Sequence, residues 1–294
     1  MDRYEPEFDE LVGGSTELER VADGFVFTEG PVWDFAAGQL YFSDIPSDTI
    51  FRYFPGGGVE VYRRPSNFSN GLAFDGDGAL LACEHRTRRI SRTTGGTEPV
   101  VESYRGRRLN APNDLVVARD GSVLFTDPHY GLGEGFGGPA EQEQPFRGVY
   151  RVPPGSHEPE LLADDFDGPN GLALSPAEDR LYVDDTERGH IRFFGIAGDW
   201  AVSGGDVLTE IRGDGDGVLD GMKVDATGNL YCTGPGGIWV CSPEGGILGR
   251  IRTPEVAANL AWGGGDARAM YITASTGLYR MRCLAPGHTP HRRS

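Results

Sequence analysis

Short apolar runs, broken by turns rich in Asp and Gly, recur along the whole chain. Six stretches superpose: "EGPVWDFAAGQLYFSD" from 29, "NGLAFDGDGALLACEH" from 70, "NDLVVARDGSVLFTDP" from 113, "NGLALSPAEDRLYVDD" from 170, "DGMKVDATGNLYCTG" from 220 and "NLAWGGGDARAMYITA" from 259. Each holds a polar residue, an apolar run, a turn and a second apolar run. Their starts lie 41, 43, 57, 50 and 39 residues apart. Two further strand-like runs complete most periods, such as "TIFRYF" and "VEVYRR" after "LYFSD". Helical spacing of apolar residues is sustained nowhere. Four short strands per period, repeated six times, predict an all-β chain: a six-bladed β-propeller of four-stranded antiparallel blades.

The last period stops after three strands, at "GLYRMRC" (277–283), whereas "TELERVADGF" (16–25) precedes the first period as an outermost strand would. The N-terminal strand is expected to complete the sixth blade and close the ring, removing an open sheet edge. A single domain over 13–285 follows, with 1–12 and 286–294 expected as loose tails.

The bulk numbers narrow the function. The 294 residues are 38% apolar, with 45 glycines and 20 prolines, enough for one large turn-rich domain. A formal net charge of −17 disfavours nucleic acid and anionic membrane surfaces as partners. No run suits a membrane-spanning helix, and "MDRYEPEFDE" lacks the features of a signal peptide, so a cytoplasmic location is expected. Cys83, Cys232, Cys241 and Cys283 form no CxxC pair and sit in or beside apolar runs, as buried reduced thiols do.

In a propeller the innermost strands start together around one mouth of the central channel. The residues in phase at those starts are Glu29, Asn70, Asn113, Asn170 and Asp220; in the sixth repeat Ala258 is in phase and Asn259 follows it. Asn-Gly and Asp-Gly are also common turn pairs, so each asparagine alone admits a structural reading. Glu29 does not. Burying it and Asp220 unpaired near one axis would cost several kcal/mol each, and no basic residue is in phase. A bound divalent cation is the economical partner, with Glu29, Asn113, Asn170 and Asp220 as ligands. An all-oxygen set suits Ca²⁺, with Mg²⁺, Mn²⁺ or Zn²⁺ as other candidates; zinc would favour His or Cys ligands. "GDGDGVLDG" (213–221) has Val218 where an EF-hand loop needs a ligand, so it is read as the loop delivering Asp220.

The second strand of each blade returns to the same mouth. Its end residues are expected at the entrance: Asp44, Glu84, His85, Asp127, His129, Tyr130, Asp184 and Asp185. The glycine-rich segment 131–147 of the third period is expected as a lid.

"TEGPVW", "CEHRTRRI", "RLNAPNDLVVARDGSVLFTDPHYGL", "DGPNGLALSPAEDRLYV" and "DGMKVDATGNLYCTGPGGIWV" resemble the gluconolactonase branch of the family that includes regucalcin (senescence marker protein) and luciferin-regenerating enzyme. The resemblance spans about residues 20–280. It implies one divalent metal, usually calcium, in the channel of a six-bladed propeller. By motif, the family's metal-site residues fall on Glu29, Asn113, Asn170 and Asp220. Asp220 is then both ligand and general base, and Asn113 lies near metal and substrate. The calcium-dependent relative diisopropyl fluorophosphatase has little of "CEHRTRRI" or "TDPHYGL", and Phe136 and Phe146 of the long loop imply a pocket shaped differently from that of a sugar lactonase.

The expected reaction is metal-dependent hydrolysis of a lactone or sugar-acid derivative, with Asp220 taking a proton from water and His129 or His85 assisting the leaving oxygen. Asp114 is expected to point elsewhere. Two rivals remain: other metal-assisted chemistry on the same site (phosphoester or fluorophosphate hydrolysis, elimination or isomerisation), and a calcium-binding propeller without catalysis.

Overall fold

The computed structural model describes residues 1–13 and 17–289. Six antiparallel four-stranded units follow one another around a ring. Blade one is Thr28–Asp34, Gln39–Asp44, Thr49–Phe54 and Gly58–Arg63, and blade two Ser69–Phe74, Leu80–Glu84, Arg89–Thr93 and Thr97–Val101. Blade three is Leu115–Val117, Val123–Asp127, Gly148–Val152 and Glu160–Ala163. Blade four is Pro169–Leu174, Arg180–Asp185, His190–Ile196 and Val202–Glu210. Blade five has Met222–Val224, Leu230–Gly234, Gly237–Cys241 and Ile247–Arg252. Blade six has Ala257–Gly263, Ala269–Ala274 and Gly277–Arg282, and Glu19–Asp23 pairs with Gly277–Arg282 as its outer strand. The expected closure of the ring is therefore present.

Local chemistry sets the turns. Between the first two strands of a blade, an aspartate accepts backbone N–H groups of the turn: Asp34 from Ala36 and Ala37, Asp75 from Asp77 and Ala79, Asp225 from Thr227 and Asn229. Gly78, Gly121 and Gly228 follow at φ of 83°, 90° and 96°, where a side chain would be strained. The core lies between blades, in seams of alternating inward residues such as Leu81, Phe125 and Tyr150, or Leu172, Leu181 and Val183.

The N-terminal segment 1–12 is no loose tail. Asp2–Arg3 adds a fifth strand to blade five against Gly249 and Arg250, and the Asp2 carboxylate accepts from Arg250 Nε at 2.7 Å and Arg252 Nε at 2.9 Å. A short helix, Glu7–Val12, then buries Phe8 and Val12, one turn apart on one face, against Tyr231, Val240 and Trp262. Two apolar side chains four residues apart were enough to seat it on the seam between blades five and six. The other end is held as well: Gly287 N donates to Ala267 O and His288 N to Val224 O. The rest of the expected C-terminal tail, 290–294, lies outside the described residues.

Candidate functional site

The glycine that follows most ring residues has a packing role. A Cβ on Gly71 would sit 2.7 Å from the backbone O of Asn113, and one on Gly30, Gly171 or Gly221 would overlap Asn70 O, Asp220 O or the Asn259 side chain. Of these four only Gly30 has positive φ. So the Asn-Gly and Asp-Gly pairs here are not turns. They are places where one inner strand presses on the next, as in the 2.9 Å bond from Gly71 N to Asn113 O. Hydroxyls on the second strands lock the same layer: Ser43 Oγ donates to Asn70 O, and Thr126 Oγ1 to Asn170 O, both at 2.8 Å.

That layer carries the ring. Glu29, Asn70, Asn113 and Asn170 are buried, while Asp220 keeps part of its surface open. Glu29 Oε2 accepts from Gly30 N and, at 3.0 Å, from Asn259 Nδ2, whereas its Oε1 is buried without a partner. Asn113 Oδ1 accepts from Asn70 Nδ2 at 2.8 Å, leaving Asn70 Oδ1 unpartnered. Asn170 Nδ2 donates to Thr186 Oγ1 at 3.1 Å, and the Asn170 amide also bonds to Asp220. Burial first, and the Asp114 carboxylate second, push the Glu29 carboxyl up to about 7. Asp220 is raised well above the carboxylate range by burial, then by Glu29, Asp184 and Asp114. Glu29, Asn113, Asn170 and Asp220 therefore belong to one strand-start layer, with Glu29 and Asp220 in mutual electrostatic contact.

Asp114, Asn259 and Lys223 join the cluster beyond expectation, and Asp184, expected at the entrance, lies within it. Asp114 points into the channel: its Oδ2 accepts from Lys223 Nζ at 3.4 Å and from Asn259 Nδ2 at 3.3 Å. Lys223 Nζ also donates to Asn259 Oδ1 at 3.3 Å. Asp114 and Asn259 occupy the place after the ring residue where the other four repeats have glycine, and they pack against two of those glycines, Gly71 and Gly221. A side chain at a glycine position was the signal for them. Lys223 is out of phase, three residues past Asp220, so a search of ring positions alone passes over it. Asp184, fully buried, is the fourth carboxylate; it stands where Ser43, Thr126 and Thr233 stand in other blades, its Oδ1 has no partner, and burial and Asp114 raise it well above its ordinary value.

The other expected entrance carboxylates turn away from the channel. Asp44 accepts the backbone N–H groups of Val26 and Phe27, Asp127 those of Asn110 and Ala111, and Asp185 those of Asp167 and Gly168. Each clamps the loop leading into its own blade's inner strand. Glu84 is surrounded by Arg63, Arg89, Thr87 and Ser91. A carboxylate that ends a strand finds backbone donors next door before it reaches a channel.

The 131–147 segment packs on the mouth side of blades one to three, against Phe27, His85 and Ala111. His85 Nδ1 donates to Phe136 O at 2.7 Å, and the Phe136 ring meets Phe27 edge-on with centroids 5.8 Å apart. Behind it, Gln144 Nε2 donates to Arg107 O at 2.9 Å and Arg88 Nη1 to Glu143 Oε1 at 3.1 Å. His85 is sealed beneath this cover, its Nε2 unpartnered, and burial lowers its imidazole to about 4. His129 is half-buried against Tyr130, its Nδ1 also unpartnered, and burial lowers its pKa. The sequence paired the two histidines as equivalents, but only His129 retains exposure.

An apolar cavity of about 330 Å³, walled by Trp33, Phe74, Val117 and Trp262, opens at the far ends of the inner strands, with Lys223 on its lining. Asp34, Asp75 and Asp77 also line it, but Asp34 and Asp75 are taken up by turn N–H groups, whereas the ring carboxylates Glu29 and Asp220 lie at the opposite end, where the acid–base chemistry belongs. Among the described residues no three His, Cys, Asp or Glu side chains group as a metal site; the ring set is two carboxylates and two amides. No helix among them is long and apolar enough to cross a membrane.

Residues 27–276 match the family model described as SMP-30/Gluconolactonase/LRE-like region. A gluconolactonase of Zymomonas mobilis is 31% identical, covering 96% of this chain and 85% of its own. A pentonolactonase of Haloferax volcanii is 28% identical, covering 85% and 81%. A solved gluconolactonase of Xanthomonas campestris superposes with a TM-score of 0.89 at 34% identity, covering 96% of this chain and 94% of its own. The matched region begins two residues before Glu29 and includes every ring position, so the layer built above sits wholly inside it: the chain belongs to the SMP-30/gluconolactonase/LRE-like family.

Proposed function

We propose that this protein is an enzyme that hydrolyses a lactone, using one divalent cation, calcium by its donor chemistry, held by Glu29, Asn113, Asn170 and Asp220. The proposal rests on the pairing of a buried carboxylate, Glu29, with the partly open carboxylate of Asp220, neither of which forms an ion pair with a basic side chain among the described residues. Glu29 Oε1 has no partner, and Lys223 is engaged by Asp114 and Asn259. Hard oxygen donors with an unpartnered buried carboxylate oxygen fit a calcium-type ion. The family's named members, gluconolactonases and a pentonolactonase, support the same reaction class.

When bound, the cation supplies Lewis-acid polarisation of the lactone carbonyl and charge for the developing oxyanion. The remaining work falls to the chain. Asp220 Oδ accepts a proton from the attacking water as its oxygen adds to the carbonyl carbon. The ring C–O bond then breaks, and the proton taken up by Asp220 passes to the departing alkoxide with His129 as its relay, giving a hydroxy acid and restoring both groups. Asn170, bonded to Asp220, fixes that carboxylate. Gly30 N and Asn259 Nδ2 fix Glu29 in the same way. The Phe136 loop keeps bulk water from the mouth. His85 pins the loop through Phe136 O in this arrangement. Four buried, unpaired cysteines support a reducing, cytoplasmic setting.

Turnover of a lactone panel, glucono-δ-lactone included, followed by pH-stat in chelator-treated protein and after adding Ca²⁺, Mg²⁺, Mn²⁺ or Zn²⁺, tests this. Hydrolysis restored by metal supports the proposal. Metal binding without lactone turnover discards the lactone and moves the search to phosphoesters and eliminations.

A further inference from the structure

Two residues before each ring position stand Phe27, Phe68, Ala111, Gly168, Val218 and Val256. Two of the six are small because something covers them. A Cβ on Gly168 would overlap Tyr130 Oη, and one on Gly131 would lie 2.7 Å from Ala111 Cβ, so Tyr130 and the start of the cover pack onto blades three and four. The other four are large and apolar, and they follow one another around blades five, six, one and two. Val218 is 50% exposed and Val256 is 36% exposed, beside each other because Val256 lies against Gly217. Phe27 carries this surface onto the cover through Phe136, and Phe68 lies under the Arg86 guanidinium at 4.1 Å.

Several polar groups of the same arc are already engaged. Asp44 holds backbone N–H groups, Asn67 Nδ2 donates to Glu84, and Ser275 Oγ donates to Val256 O. A polyhydroxylated ring would bring several hydroxyls that each need a partner, and this arc presents carbon instead. We infer that the mouth takes a lactone carrying an apolar arm, alkyl or aryl, laid over Val218, Val256 and Phe27, rather than a sugar lactone. The inference rests on the lactone reading above. The arm covers two exposed valines that water otherwise wets, and the carboxylate ring below it receives the ester carbonyl.

The test is a series of δ-lactones bearing methyl through hexyl groups on the carbon next to the ring oxygen, alongside unsubstituted δ-valerolactone and glucono-δ-lactone. Burial of a methylene corresponds to about a two- to four-fold gain, so kcat/KM climbs by that factor per added carbon over the first few and exceeds the glucono-δ-lactone value. The double variant Val218→Asn, Val256→Asn flattens the climb, while Val207→Asn, on the outer strand of blade four, keeps it. A flat series, or preference for glucono-δ-lactone over the hexyl lactone, overturns the inference with the lactone reading intact. Calorimetric binding of the matching δ-lactams, which are not turned over, reads the same slope without catalysis. A climb there with no lactone hydrolysed keeps the apolar arm and rejects the reaction; no climb rejects the arm.

Discussion

Replacing Glu29 by Gln should make the metal-free protein more stable, not less. The carboxyl is raised from 4.5 to about 7, chiefly by burial and next by Asp114. Between those values the folded state binds a proton that the unfolded chain has lost, so stability falls as pH rises through the window and is level above it. The shift corresponds to about 3 kcal/mol lost by pH 8.5 relative to pH 4. Glutamine keeps the shape and the bonds from Gly30 N and Asn259 while removing the charge. In EDTA the variant should match the parent near pH 4.5 and exceed it by about 3 kcal/mol at pH 8.5, equivalent to a Tm gain of roughly 5–10 °C. Added Ca²⁺ should reverse the order, because only the parent gains binding energy from the ion. Urea and thermal unfolding at pH 4.5, 7 and 8.5, with EDTA or Ca²⁺, measure this. A Gln variant less stable than the parent at pH 8.5 in EDTA, or a difference that ignores pH, would refute the electrostatic reasoning.

Asp220→Asn should fold normally and lose about 10²-fold or more in kcat, since proton removal from water has no other acceptor of its kind at the open side of the ring; initial rates on the best lactone measure it. His85 gives the opposite pH limb to Glu29. Its imidazole falls from 6.5 to about 4 through burial, so the folded state binds fewer protons than the unfolded one in that window, and about 3 kcal/mol is lost as pH drops from 6.5 to 4. Chemical denaturation should show this loss in the parent and not in His85→Asn. Gly171→Ala should cost more than about 3 kcal/mol, because its Cβ would overlap the backbone O of Asp220 and force blades four and five apart, whereas Gly95→Ala, with nothing within 4 Å, should stay within about 0.5 kcal/mol. Urea midpoints of the two variants compare them.

The blades and their closure were legible because each repeat states the same pattern of apolar runs and Asp–Gly turns, and errors in one copy are corrected by the other five. The ring was legible for the same reason. What repetition hides is the departure from it. Asp114 and Asn259 matter because they are not glycine, and Lys223 because it lies outside the phase altogether. Asp44, Asp127 and Asp185 show the converse: phase placed them at the mouth, but each had two backbone N–H groups closer at hand. The first twelve residues were read as a tail because no repeat contains them. Their packing depends on Phe8 and Val12 meeting a seam that exists only after blades five and six have formed.

If one cation in the Glu29–Asp220 ring makes this protein a lactone hydrolase, metal binding and turnover rise together. Titrating Ca²⁺ into chelator-treated protein, with Tm and lactone turnover read from the same samples, tests it most directly. One site per chain is expected, with both curves saturating at the same concentration and both lost in Asp220→Asn. Turnover that persists in the chelator, or that rises at a concentration unrelated to the Tm curve, would contradict it.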